Sequence, residues 1–184
     1  MVGFSAQLVE NRLVVWDSKE GYELYKLGFY GKPVGIAKPK NTGFDVPLML
    51  GLIEGLYLLE QDLIKVRRAS KGRGLSIKAY KAYARKAYDD FDLDYLVYKD
   101  LRNHGYIVLP GIKFGCEYAV YEKGPGIDHA PYLVTVKRRG DTITSTDIVR
   151  AGRLATSVKK RFIIAIPDLE TGTVQYPMFR WFKA

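Results

Sequence analysis

The chain has 184 residues, 47% of them hydrophobic, and its 29 Lys and Arg outnumber 20 Asp and Glu to give a formal charge of +9. That length holds one domain or two small ones, and that apolar share argues against disorder. No apolar run nears the roughly 20 residues of a membrane helix, the first residues lack the basic start of a secretory signal, and the single cysteine, Cys116, rules out an internal disulfide. The expectation is a cytoplasmic protein with a polyanionic partner, nucleic acid first.

In chain order, residues 7–16 read as a hairpin turning through Glu10 and Asn11, and residues 22–29 as a short amphipathic helix. Residues 31–43, GKPVGIAKPKNTG, have no periodicity and form a long loop. Its Lys32, Lys38 and Lys40 suit phosphate contacts, or simply a solvated basic loop. Residues 45–63 are expected as a helix capped by Asp45, with Leu48, Leu52, Leu56 and Leu59 facing the core. The run KVRRASKGRG that follows is a basic connector, and residues 76–88 form a second helix with Ile77, Tyr80, Ala84 and Ala87 on one face.

The acidic stretch 89–94 marks a domain boundary, giving domains 1–88 and 89–184. Beyond it come a helix over 93–104 closed by Gly105 and a strand over 106–109. His104, at that helix end, has a sufficient structural role there. Cys116 is expected on a buried strand. Residues 118–134, YAVYEKGPGIDHAPYLV, read as strand, glycine-rich turn and strand. Residues 144–160 form the best-defined helix, with Thr144 and Asp147 spaced as a capping box and Ile148, Ala151, Ala155 and Val158 as its apolar stripe. Three short strands over 162–166, 173–176 and 179–183 close the chain.

Two side chains able to move protons, Tyr121 and His129, stand at the rim of the central hairpin. Histidine as a residue type titrates near pH 6.5 and can protonate a leaving oxygen. Tyrosine, with a usual pKa of about 10, is a poor base unless cations favour its phenolate. Lys160 is such a cation if the three meet in space. On the 144–160 helix, Arg150, Arg153, Ser157 and Lys160 form a second stripe, suited to a phosphate backbone or to water. One cysteine and two distant histidines make no zinc pattern. Glu117, Glu122 and Asp128 fit no magnesium motif, and no phosphate loop, nucleophile elbow or dinucleotide fingerprint is present.

The run YLVYKDLRNHGYIVLPGIKFGCEYAVYEKG, then DHAPYLVTV, then RLATSVKKRFIIAI resembles the archaeal tRNA-splicing endonucleases, in order and spacing. The resemblance is weaker before residue 45. It implies an α+β fold: an N-terminal mixed α/β domain followed by a C-terminal α/β nuclease domain with a central mixed sheet. It also implies cleavage of precursor tRNA at bulge-helix-bulge structures, with no metal and no cofactor. The family's catalytic tyrosine, histidine and lysine fall on Tyr121, His129 and Lys160, as general base, general acid and stabiliser of the transition-state charge. The implied products are a 2′,3′-cyclic phosphate and a 5′-hydroxyl.

The family also holds a flipped bulge base between two flat groups. One falls on Arg153, and the other lies near the C-terminus, where this chain offers Arg180 and Trp181. Trp181 has two readings, stacking on that base or packing under the last strand. Residues 31–43 resemble an insertion of the crenarchaeal type. The loop after Val136, acidic in members that assemble with themselves, here reads KRRGD. The implied assembly is therefore a heterotetramer, two copies of this catalytic chain with two of a second, structural subunit. The alternatives are a non-catalytic RNA-binding subunit of the same complex and a metal-dependent DNA nuclease.

Overall fold

The computed structural model describes residues 3–37, 39, 43–68, 72–127, 129–149, 152 and 160–178. The fold is α+β, with two compact units, Met1–Phe91 and Asp92–Ala184, each built on a five-stranded mixed sheet. Among the described residues no helix is long and apolar enough to cross a membrane.

In the first unit, β1 (Phe4–Val9) and β2 (Arg12–Val15) form the expected hairpin, with Glu10 in the left-handed region at its turn. Helix α1 (Ser18–Lys26) starts four residues earlier than the amphipathic pattern indicates. Asp17 decides this, because its carboxylate accepts the Glu20 N–H at 2.9 Å and caps the first turn. The expected long loop contains a two-residue strand, β3 (Lys32–Pro33), paired with β4 (Leu48–Leu50).

Strand β4 corrects the helix expected from residue 45. Leu48 is buried as expected, and Leu50 with it, but on a strand laid against β2, and the helix itself, α2, is only Leu52–Glu60. Asp45 is not its cap; it accepts a hydrogen bond from the Ser18 hydroxyl at 2.5 Å. Glu54, on the first turn of α2, takes the N–H of Gly51 at 3.1 Å and of Gly31 at 3.0 Å. Gly31 needs its lack of a side chain: its φ is +74°, and a Cβ would lie 2.7 Å from Leu50 and 2.8 Å from the Met49 carbonyl oxygen.

The basic connector is also corrected, since its first part is β5 (Ile64–Arg67), parallel to β1. Sheet order is β3-β4-β2-β1-β5. Helix α3 (Ile77–Ala87) follows, capped by Ser76, whose hydroxyl accepts the Ala79 N–H at 3.3 Å. Its Tyr80 is fully buried and donates to the Leu52 carbonyl oxygen at 3.0 Å.

The second unit runs α4 (Phe91–Asn103), β6 (Ile107–Pro110), a 3-10 turn (Ile112–Phe114), β7 (Tyr118–Tyr121), β8 (Tyr132–Val136), β9 (Arg161–Asp168) and β10 (Thr173–Gln175), with sheet order β10-β9-β8-β7-β6. Gly105, at φ +86°, closes α4, and the Tyr106 N–H reaches back to the Leu101 carbonyl oxygen at 3.1 Å. His104 takes the structural place expected of it, its Nδ1 donating to the Asp100 carbonyl oxygen at 2.8 Å.

Cys116 is buried, but in the bend ahead of β7 rather than on a strand. Burial pushes its thiol up to about 11. Thr144 and Asp147 form the expected reciprocal cap, Thr144 N to Asp147 Oδ2 at 3.0 Å and Asp147 N to Thr144 Oγ1 at 3.1 Å, and residues 145–149 and 152 are helical. Ile148, expected in an apolar stripe, is instead exposed. Ala151, Ala155 and Val158 lie outside the described residues, as does the strand expected over 179–183.

Candidate active site

The site stands at one end of the second sheet. Cross-strand pairs run Ala119↔Leu133 between β7 and β8, and Leu133↔Phe162 between β8 and β9. Side chains on a strand alternate between faces. Tyr121, two residues beyond Ala119, and Lys160, two before Phe162, therefore share the face of that row.

Packing agrees with the alternation. Cys116, Ala119, Ala130 and Leu133 form a buried cluster against which Phe114, Tyr121 and Phe162 pack. The Lys160 ammonium lies over the Phe114 ring, 5.3 Å from its centroid, and donates to the Ala130 carbonyl oxygen.

His129 is the residue before Ala130, exposed on the turn that leads into β8. Gly124 and Gly126 take positive φ within that turn, letting the chain double back from β7. The Arg161 N–H donates to the Pro131 carbonyl oxygen at 2.8 Å, which ties the start of β9 to the segment carrying His129. Tyr121 thus packs against the cluster that holds Ala130, Lys160 donates to the Ala130 carbonyl oxygen, and His129 is the residue before Ala130 in the chain. A phenol, an imidazole and an ammonium are residue types able to exchange protons and to hold positive charge, the parts that an acid–base phosphoryl transfer uses.

The other face of the sheet holds the frame rigid against α4. Tyr118 donates to the Asp94 carbonyl oxygen at 2.9 Å, and its ring sits 5.9 Å from that of Tyr98. Buried Arg102 donates to the Tyr98 hydroxyl at 3.0 Å and the Val108 carbonyl oxygen at 3.2 Å. Asp100 accepts from the Tyr176 hydroxyl at 2.7 Å, and burial together with that carboxylate raises the tyrosine's pKa, so it stays a neutral donor.

The acidic residues near the hairpin have other work. Glu117 accepts from the Thr135 hydroxyl at 2.6 Å and the Val136 N–H at 2.9 Å, while Glu122 accepts from the Tyr132 hydroxyl at 3.3 Å. Among the described residues, no three of the His, Cys, Asp and Glu side chains group as a metal site would require.

Lys38, Lys40, Arg150, Arg153, Arg180 and Trp181, the expected RNA contacts, lie outside the described residues, as does Asp128. Two participants were not singled out from the sequence: Phe114, which carries the Lys160 ammonium, and the Ala130 carbonyl that receives it. The only signal was Phe114 in the run GIKFGC, an aromatic residue between two glycines.

Comparison with known proteins agrees over both units. Residues 4–81 match the family model described as tRNA intron endonuclease, N-terminal domain, and residues 91–176 match tRNA intron endonuclease, catalytic C-terminal domain. The tRNA-splicing endonuclease of Hyperthermus butylicus is 44% identical over 97% of this chain and 98% of its own length. That of Sulfurisphaera tokodaii is 38% identical over 96% of this chain and 98% of its own, and that of Saccharolobus islandicus is 40% identical over 97% and 98%. With both of its domains present in order and the match running nearly end to end, this chain belongs to the tRNA intron endonuclease family.

Proposed function

We propose that this chain is the catalytic subunit of an enzyme that excises introns from precursor tRNA at bulge-helix-bulge structures. Residues 89–184 act as the nuclease domain and residues 1–88 as a separate N-terminal domain. The observation that carries the reading is that Lys160 donates to the carbonyl oxygen of Ala130, the residue after His129, and that Tyr121 packs against the cluster to which Ala130 belongs, in a chain of this family.

In this scheme Tyr121 accepts the proton of the ribose 2′-hydroxyl, whose oxygen attacks the adjacent phosphorus. The bond to the 5′-oxygen breaks, and His129 delivers a proton to it. Lys160 stabilises the extra negative charge of the five-coordinate phosphorus. The products are a 2′,3′-cyclic phosphate and a 5′-hydroxyl, and the proton balance closes without a metal or cofactor. Arg150 and Arg153 bind the phosphate backbone, Arg153 with Arg180 or Trp181 holds the bulge base, and Lys38 and Lys40 add contacts to this or another bulged RNA.

The test is cleavage of a bulge-helix-bulge RNA with and without a chelator, with analysis of the new ends. Undiminished cleavage and 5′-hydroxyl ends are expected. Loss of activity on chelation, or 5′-phosphate ends, would sink the scheme.

We also propose that the active particle is a heterotetramer with a second, structural subunit. The loop after Val136 carries Lys137, Arg138 and Arg139, and its one acid, Asp141, accepts the Arg138 N–H at 2.8 Å. Arg139 lies 3.6 Å from Asp168, on the chain's own β9. Such a loop has no surplus acid for a basic pocket on a copy of itself, and like charges repel. Sizing chromatography of the purified chain, with cleavage assayed on each fraction, should find full activity only after the acidic partner is added. A fully active particle of this chain alone contradicts the proposal.

A further inference from the structure

The sheet of the first unit has two unlike faces. Ala6, Leu8, Leu13, Val15, Leu48, Leu50, Ile64 and Val66 are all buried on one. Helix α2 comes so close there that a Cβ on Gly55 would lie 2.3 Å from Leu13, and α1 approaches Leu48 in the same way at Gly21. The strand registers place a different set opposite. One row crosses all five strands as Lys32, Met49, Val14, Gln7 and Arg67, and Ser5 pairs with Lys65 beside it. Alternation adds Val9, Arg12 and Trp16 to this outer face.

Lys32, Arg12, Lys65, Ser5 and Val9 are exposed, and Trp16 is 59% exposed. Among the described strand residues of that face there are four cations and no carboxylate. The acids that follow β2 are engaged with backbone, Asp17 capping α1 and Glu20 accepting the Ser5 N–H at 3.0 Å. Trp16 is held in place, its indole Nε1 donating to the Gln7 side-chain oxygen at 2.8 Å. With its polar atom satisfied, the ring has its π faces to offer.

We propose that this outer face is a second RNA surface, which binds a single-stranded stretch by stacking a base on Trp16 and pairing phosphates with Lys32, Lys65, Arg67 and Arg12. From β3 to β5 the row spans about 19 Å, four strand spacings, enough for several phosphates. Exposed tryptophan set among lysine and arginine is the combination that holds single strands without reading their sequence. Met49 and Val14, in the middle of the row, are half-buried and buried, so its cations stand towards the two ends. The inference goes beyond the cleavage reaction and uses none of its residues.

The test is binding of an uncleavable single-stranded DNA and of an oligouridylate, each of about 10 nucleotides, to the full-length chain. Trp16→Ala is expected to weaken both roughly 5- to 150-fold, the loss of one base–aromatic stack, while Trp16→Phe restores most of the affinity. Lys65→Ala with Arg67→Ala is expected to flatten the slope of log K against log salt by about 1.4, two phosphate contacts on a single strand. Circular dichroism melts of each variant establish that it is folded. Wild-type affinity and salt slope in both variants would overturn the proposal. So would a change in oligomeric state at unchanged affinity, which would make the face a protein interface. Because the readout is binding without cleavage, failure here is distinct from failure of the catalytic scheme.

Discussion

A His129→Ala chain is expected to cleave a bulge-helix-bulge RNA roughly 10²–10⁴-fold more slowly, the usual worth of a positioned general acid. RNA affinity should be unchanged, because a proton donor acts as the bond to the leaving oxygen breaks and not before. His129 is exposed, whereas the next residue, Ala130, is 2% exposed and belongs to the core. The substitution therefore removes the imidazole and leaves the packing alone, so the melting temperature should hold. A sharper measurement uses an RNA whose leaving 5′-oxygen is replaced by sulfur, since a thiolate departs without a proton. The deficit should shrink greatly on that substrate. Full activity on the ordinary RNA, or an equal deficit on both, would remove His129 from the role of acid. His104→Ala is the contrast: it loses the contact to the Asp100 carbonyl oxygen, so it should lower stability and leave the rate alone.

Lys160→Ala is expected to fail in two ways that can be separated. Loss of the positive charge should lower the single-turnover rate by about 10²–10³-fold, as removing one donor from a charge-stabilising site does. Loss of the ammonium also breaks the hydrogen bond to the Ala130 carbonyl oxygen, which ties the start of β9 to the turn carrying His129, and the contact over Phe114 in the 3-10 turn ahead of β7. Lys160→Met keeps an unbranched stem for Phe114 and discards the ammonium, its charge and its hydrogen bond together. Equal rate losses in the two variants, with a smaller fall in melting temperature for Met, would assign the rate effect to the ammonium and the stability effect largely to packing of the stem. A Met variant of full activity would show that the ammonium plays no part in the rate. Lys160→Arg is a poor control, because a planar fork does not reproduce a compact ammonium over a ring.

What the sequence by itself determined was local. Ser76 starts α3, Gly105 ends α4 with a positive φ, Thr144 and Asp147 cap each other, and the hairpin from Tyr118 turns on its glycines. Each is a matter of residues a few positions apart, so the chemistry that decides it is written in one stretch. Family membership was legible for a related reason, since its motifs are runs of contiguous residues in a set order.

Tertiary structure decided what depends on partners far along the chain. Leu48 to Leu50 has the composition of a helix start and becomes β4, because β2 and β3 offer it ladders on both sides. Lys65 to Arg67 opens a run read as a basic connector and belongs to β5, because parallel pairing with β1, some sixty residues earlier, buries Ile64 and Val66. The candidate site follows the same rule. Tyr121, His129 and Lys160 could be named from the motifs, but only the parallel register of β8 with β9 brings Lys160 to Ala130 and onto the face of Tyr121. Trp16 and Arg67 likewise share a face only through β1, which pairs with one strand on each side. Propensity acts over a turn or two, whereas a sheet is satisfied only when its strands meet, so its faces are fixed by the closed fold and not by any single segment.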